Sequence, residues 1–350
     1  MHPSRRRTGP IEAAIALAIA LVCFAAPAAQ AARPEPMIAN KNAARDSLRR
    51  FRLSTVTVRS MATALSLDRS AELTWNPYVA SNVEIAPRFF FTDSLSLATS
   101  LDITHELTNS DWTRERREAT LSDFRASLIA RDFLKIPGLG ATVSGSIGVT
   151  LPTSKSSQGD TMLFTLSPSV RIGRAFPKVL GGMAFGYSAR LTKLFHRTTT
   201  AEYAEPVIPN CVPGPNSECD RFINTGFRNA SFRLMHGLDF SLGLTPWCFV
   251  SLDLSAFVSW LYPTSFEDPR ESFAPQAGTD MRHAIYTDLG VSFLPWSPLE
   301  VRIGASAFHQ ALAPDSTPYA LGVNRFSTLY LELRLDIAGA MSLLHDDGQP

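Results

Sequence analysis

Six histidines stand beyond residue 32, at His105, His196, His236, His283, His309 and His345. Each has the chemistry of a general base, a proton shuttle or a metal ligand. None has a serine two residues later, the spacing that would set both side chains on one face of a strand. No G-x-S-x-G, H-E-x-x-H, P-loop or dinucleotide fingerprint occurs. His283 and His309 fall near the ends of alternating runs, where a lone histidine is ordinarily solvated or part of an interface. Asp/His pairs assembled in space leave no mark on a sequence, and they stay open as the remaining route to catalysis. On the residues alone no catalytic, cofactor-binding or metal site is assigned, and no enzyme activity is expected.

The cysteines offer different chemistry. Cys211 and Cys219 lie in "NCVPGPNSECD", a polar segment rich in Pro and Gly. A local disulfide is expected there; a metal pair would need a second Cys pair or a nearby His to complete it. Cys248 sits inside an apolar alternating run and reads as a small buried side chain. Cys23 belongs to the first 31 residues. That stretch carries Arg5, Arg6 and Arg7, an apolar run from Ile11 to Phe24, and Ala29-Gln30-Ala31. It reads as a secretory signal peptide cleaved near Ala31, which would deliver the rest to an oxidising compartment.

The remaining charged residues are more regular than catalytic. Lys and Arg number 33 and Asp and Glu 32, a balance that gives no reason to expect a nucleic-acid partner. Within the strand-like runs they alternate with apolar residues. In "FSTLYLELRLDIAG", Leu329, Leu331, Leu333, Leu335 and Ile337 share one face, and Tyr330, Glu332, Arg334 and Asp336 share the other. Period two of this kind is a strand with one apolar and one polar side. The same pattern places Asp102, Arg125, Arg131, Arg171, Arg190, Arg233, Asp239, Asp253, Arg282, Asp288, Glu300 and Arg302 on polar faces.

Strand-like runs fall at about 78–91, 95–107, 120–132, 140–151, 161–174, 182–195, 230–244, 248–260, 281–293, 299–310 and 326–337. Many reach ten residues, the length of a tilted membrane-crossing strand rather than of a soluble one. Their connections alternate short and long along the chain, as the turns and loops of a transmembrane barrel do. An even strand count needs one more strand, and 53–67 supplies it; twelve is the expected number, with ten and fourteen as the alternatives. No stretch of eighteen apolar residues follows the signal, which leaves no candidate membrane helix.

Two short turns carry a Pro-Trp pair, in "LGLTPWCFVSLDL" and "VSFLPWSPLEVRIG". Trp247 and Trp296, with Phe133 and Phe176 at comparable turns, read as aromatics of one membrane–water interface.

In these features the chain resembles the outer-membrane β-barrels of Gram-negative envelopes, porins and hydrophobic-compound channels among them. "LYLELRLDI" resembles their terminal insertion signal, with "AGAMSLLHDDGQP" standing where a terminal aromatic is usual. The resemblance implies outer-membrane lipid and the outer-membrane assembly machinery as partners. It also implies short turns in the periplasm and long loops outside. The expected organisation is a signal peptide at 1–31, a basic periplasmic segment or lumen plug at 32–52, an all-β barrel at 53–337, and a periplasmic tail at 338–350. The polar faces would line the lumen, where charges must be paired or hydrated. The expected function is passive passage of small solutes, apolar ones included. The alternatives are a closed barrel acting as an anchor or interaction platform, with loop 196–229 as an external contact surface, and a soluble periplasmic β-protein.

Overall fold

The computed structural model describes residues 50–67, 78–108, 117–203, 223–263, 280–313, 316–320, 324 and 326–346. The expected signal peptide, most of the 32–52 segment, and Cys211 and Cys219 with their expected disulfide lie outside these residues.

Twelve antiparallel strands close into a barrel. They are β1 (Thr55–Thr63), β2 (Val79–Ala86 continuing as Arg88–Phe90), β3 (Leu95–Glu106), and β4 (Ala119–Leu121 continuing as Phe124–Ile136). After them come β5 (Ala141–Leu151), β6 (Met162–Phe176), β7 (Met183–His196) and β8 (Ala230–Thr245). The last four are β9 (Cys248–Leu261), β10 (Met281–Trp296), β11 (Leu299–Gln310) and β12 (Ser327–Asp336). Each strand pairs with its sequence neighbours, and β1 pairs with β12 to close the circle, from Thr55↔Asp336 to Thr63↔Thr328. The strand expected at 53–67 is therefore real and shorter than the run that suggested it. Breaks at Pro87 and at 122–123 divide β2 and β4 without ending them, since both halves of each pair with β3.

All short connections gather at one rim, at 91–94, 137–140, 177–182, 246–247 and 297–298, and the long ones at the other. β4 and β6 each stop at the residue before a proline, Pro137 and Pro177, which has no N–H to continue the ladder. From the longest loop, Thr200–Tyr203 and Ile223–Arg228 form a separate hairpin above the long-loop rim. The residues after β12 are not an irregular tail: Ile337–Asp346 is a helix, α1. The Asp336 carboxylate accepts the Ala338 N–H at 3.2 Å, and a Cβ on Gly339 would lie 3.4 Å from Pro298 of a short turn. The helix is thus fastened to the short-turn rim.

Register assigns the two faces. Leu331 and Leu333 of β12 sit beside Ile303 and Val301 of β11, all on the outside. Along the described strands the outward positions carry Arg or Lys only toward the two rims, at Arg174 and Lys193, and the polar residues nearer mid-strand, such as Ser60, Thr99 and Thr287, are uncharged. An uncharged exterior of this height is what lipid requires of a closed barrel, because a closed ladder leaves no backbone group unpaired toward hydrocarbon.

Two aromatic belts bound that exterior. At the short-turn rim stand Phe133, Phe176 and Trp296, with Trp247 stacked on Phe293 at 6.3 Å. Phe51, Phe89 and Phe91, which the alternation did not single out, form an edge-to-face chain beside them. Phe133 is not in a turn, as the sequence suggested. It lies in a bulge of β4, with its ring over Gly145, where a Cβ would come within 3.3 Å. At the long-loop rim Phe164 stacks on Phe195, and Lys193 lies among Phe195, Phe232 and Tyr262, a snorkelling cation in an aromatic ring set. Phe164 and Phe176 are twelve residues apart on β6. At about 3.3 Å per residue and a tilt of about 40° that is about 30 Å of height, the thickness of a bilayer core. Trp296 should consequently be quenched more strongly by lipids brominated near the glycerol than by lipids brominated near the methyl ends. The difference in emission between the native protein and Trp296→Phe in each vesicle checks it, and equal quenching would place the ring elsewhere.

Candidate functional site

The inner wall collects the charged side chains, and their register brings together groups far apart in sequence. Asp239 of β8 is the direct cross-strand partner of Asp253 on β9, and Asp253 of Asp288 on β10. Three carboxylates thus stand side by side, an arrangement that repels unless cations or protons answer it. Arg171 of β6 reaches over β7 to Asp239, with Nε 3.1 Å and Nη2 2.5 Å from its oxygens. Arg302 of β11 pairs with Asp288, which also accepts the Tyr330 hydroxyl at 2.9 Å. Asp253, between them, receives no hydrogen bond from any described residue.

A second network closes the β1–β12 seam. Arg59 of β1 donates from Nε to Glu332 of β12 at 2.8 Å, and a second guanidinium nitrogen bonds the same oxygen. Arg334 stands 3.5 Å from the other Glu332 oxygen and 3.5 Å from Glu300 of β11. Glu332 is 1 % exposed. Further round the wall Arg125 lies 3.5 Å from Asp102 of the adjacent strand β3.

The way these side chains reach one another matters more than their number. Arg171 and Asp239 meet over Gly186, where a Cβ would fall 2.5 Å from both. Arg302 crosses Gly290, and Tyr330 crosses Gly304 with its hydroxyl 2.5 Å from where a Cβ would stand. Missing side chains on β7, β10 and β11 let long neighbours lie flat along the wall. Among the described residues every inner-face ion pair lies within one strand or joins strands that are adjacent or next but one, and none crosses the barrel.

Most of the sequence-predicted residues fall into three groups, with Arg125 and Asp102 paired apart from them. Arg171, Asp239, Asp288, Arg302, Glu332 and Arg334 are joined in networks with Asp253 among them. Arg190, Arg233 and Arg282 lie on the inner face higher up, with Arg233 donating to Ser259 at 3.1 Å. Asp336 ends its strand as the residue that ties down α1. Arg59 and Arg88 were missed, Arg59 because the alternation of β1 is weak and its run reads as barely amphipathic.

Near the long-loop rim a pocket of about 240 Å³ is lined by Asp160, His196, Asn229, Arg233 and Arg282. His196 and Asp160 do come together here, but Nδ1 of His196 meets the backbone carbonyl of Asp160 at 2.7 Å, not its carboxylate. Asn229 donates to the same carbonyl at 2.8 Å. Burial pushes the Asp160 carboxyl above the usual carboxylate range, against the pull of His196, Arg233 and Arg282. Among the described residues of this polar mouth no nucleophile is set against a base. His309 is covered by the rings of Tyr319 and Phe326 at 5.1 and 5.9 Å. Cys248 is buried, as its run suggested. No grouping of three His, Cys, Asp or Glu suited to a metal ion occurs among the described residues.

No protein-family model matches the chain, and neither does any curated protein. Solved structures resemble it at low identity. An outer membrane channel from Pseudomonas putida F1 is 8% identical, over 85% of this chain and 98% of that one, with a TM-score of 0.49. The KdgM porin is 6% identical over 81% and 99%, with a TM-score of 0.37. The translocator domain of the autotransporter NalP from Neisseria meningitidis is 9% identical over 80% and 85%, with a TM-score of 0.34. These are likenesses of fold.

Proposed function

We propose that the chain is an integral outer-membrane barrel that passes small solutes without an energy source, entered from the long-loop side and left at the short-turn side. The observation that supports it is the flattening of Arg171, Arg302 and Tyr330 over glycines. A barrel closed by ion pairs would carry them across its middle. Here they are held against the wall, and the space they would fill is left to water. An inner face of this polarity favours hydrated solutes over the apolar ones that the resemblance admits. Outer-membrane lipid is the surrounding solvent, insertion by the assembly machinery follows from the same reading, and export would begin with cleavage near Ala31. We assign no catalytic residue.

The purified, refolded protein should give stepwise conductance in planar bilayers that scales with salt concentration. A folded protein that inserts and stays silent would overturn the passage and leave a closed anchor, its loop 196–229 facing outward.

A further inference from the structure

The short-turn mouth holds a group of cations that the networks above leave out. Arg52, just before β1, Arg88 of β2 and Arg131 of β4 converge on one ring, that of Phe90. Their guanidinium carbons lie 4.1, 5.2 and 5.5 Å from its centroid. The ring is buried beneath them. Arg88 and Phe90 share the inner face of β2, so the cluster looks into the barrel.

The charges are poorly answered. Arg52 pairs with Asp93 of the adjacent turn at 2.9 Å. Among the described residues the Arg88 side chain bonds only an uncharged hydroxyl, that of Ser96, at 3.1 and 2.9 Å. Arg131 pairs with no carboxylate among the described residues; Asp132, next to it, instead accepts from Ser144 at 3.4 Å. Three like charges are held together by one aromatic face, which attracts cations but cannot cancel them. Elsewhere on this wall Arg59, Arg171, Arg302 and Arg334 each have a carboxylate in reach, while Arg233 bonds the Ser259 hydroxyl. Here two arginines keep their charge and their spare N–H donors, in the fork geometry that suits a carboxylate or phosphate.

We propose that Arg88 and Arg131, with Arg52 beside them, form an anion-binding site at the short-turn mouth that takes a small solute bearing a phosphate or carboxylate. The proposed passage supplies the solute's route, while binding itself needs no flow. Phe90 and Ser96 fix the two guanidinia so that little rotamer freedom is lost on binding.

The test is line broadening in ³¹P NMR as the refolded protein in non-ionic detergent is titrated into inorganic phosphate at 150 mM sodium chloride. Saturable broadening is expected, relieved by citrate, and at least tenfold weaker in the Arg88→Ser/Arg131→Ser double variant. Arg174→Ser, on the outer face, should bind as the native protein does. Folding is read from heat-modifiable migration. If the double variant does not fold, Arg131→Ser alone decides, with a fivefold or greater weakening expected. No saturable broadening in the folded native protein, or broadening indifferent to these substitutions, overturns the site. Phosphate binding without conductance would remove only the passage, and conductance without phosphate binding only the site.

Discussion

Glu332→Gln should destabilise the barrel by about 3 kcal/mol, the low end of the cost of leaving a buried charge unpaired. Glu332 is buried and Arg59 is one-third exposed, so the arginine recovers some hydration once its partner is gone. What makes the loss large is its place. Arg59 and Glu332 are direct partners in the ladder between β1 and β12, the one pairing that joins the two ends of the barrel. The change leaves two cations, Arg59 and Arg334, facing one neutral amide at that seam. Urea titration in detergent, read by loss of the heat-modifiable form, gives the number. Arg59→Met/Glu332→Gln should recover much of the loss, because the one cation left at the seam, Arg334, still has Glu300 at 3.5 Å. A shift under about 1 kcal/mol for the single change would mean that water already solvates the seam.

How much of this was legible follows from periodicity. Leu329, Leu331, Leu333 and Leu335 alternate with Tyr330, Glu332, Arg334 and Asp336 because one face meets lipid and the other does not, and a period of two survives any register. Strand existence, the sorting of loops by length and the two faces could therefore be read from the chain. The weak run at 53–67 was recoverable only by parity, since Ser60 on its outer face and Met61 on its inner face blur the contrast. Partners could not be read at all. That Asp239, Asp253 and Asp288 stand abreast depends on the sum of residue numbers across two hairpins, which one extra turn residue would change. The wall glycines were visible as polar-face positions, yet their purpose appears only when Arg171 is seen to lie over Gly186. Phe133 was placed by its neighbour Pro137 in a turn, and the bulge that carries it outward has no composition signal. The helix after β12 was hidden for a related reason: Gly339 and the closing "DDGQP" argue against helix, and its docking on Pro298 is tertiary.

The proposed passage turns on those glycines, and Gly186→Val should reduce single-channel conductance to roughly half or less while the barrel still forms. A Cβ at this position would meet Nη2 of Arg171 at 2.5 Å and the two oxygens of Asp239 at 2.5 and 2.7 Å. All three atoms are ends of flexible side chains, so the clash is relieved by lifting the ion pair off the wall and into the water. The backbone has no reason to move, and valine is a better strand former than glycine. Gly243→Val supplies the contrast. There the new Cβ would fall 2.6 and 2.7 Å from the backbone of Gly181, which has no side chain to swing aside. That variant should fail to reach the heat-modifiable form. If Gly186→Val narrows the lumen through Arg171, then Arg171→Ala in the same chain should restore the conductance, since a methyl group leaves the wall clear. A folded Gly186→Val barrel that conducts like the native one would show that current does not run past this pair. In that case the flattening of Arg171 serves to tie β6 to β8 across β7, and the passage has to be argued from another part of the wall.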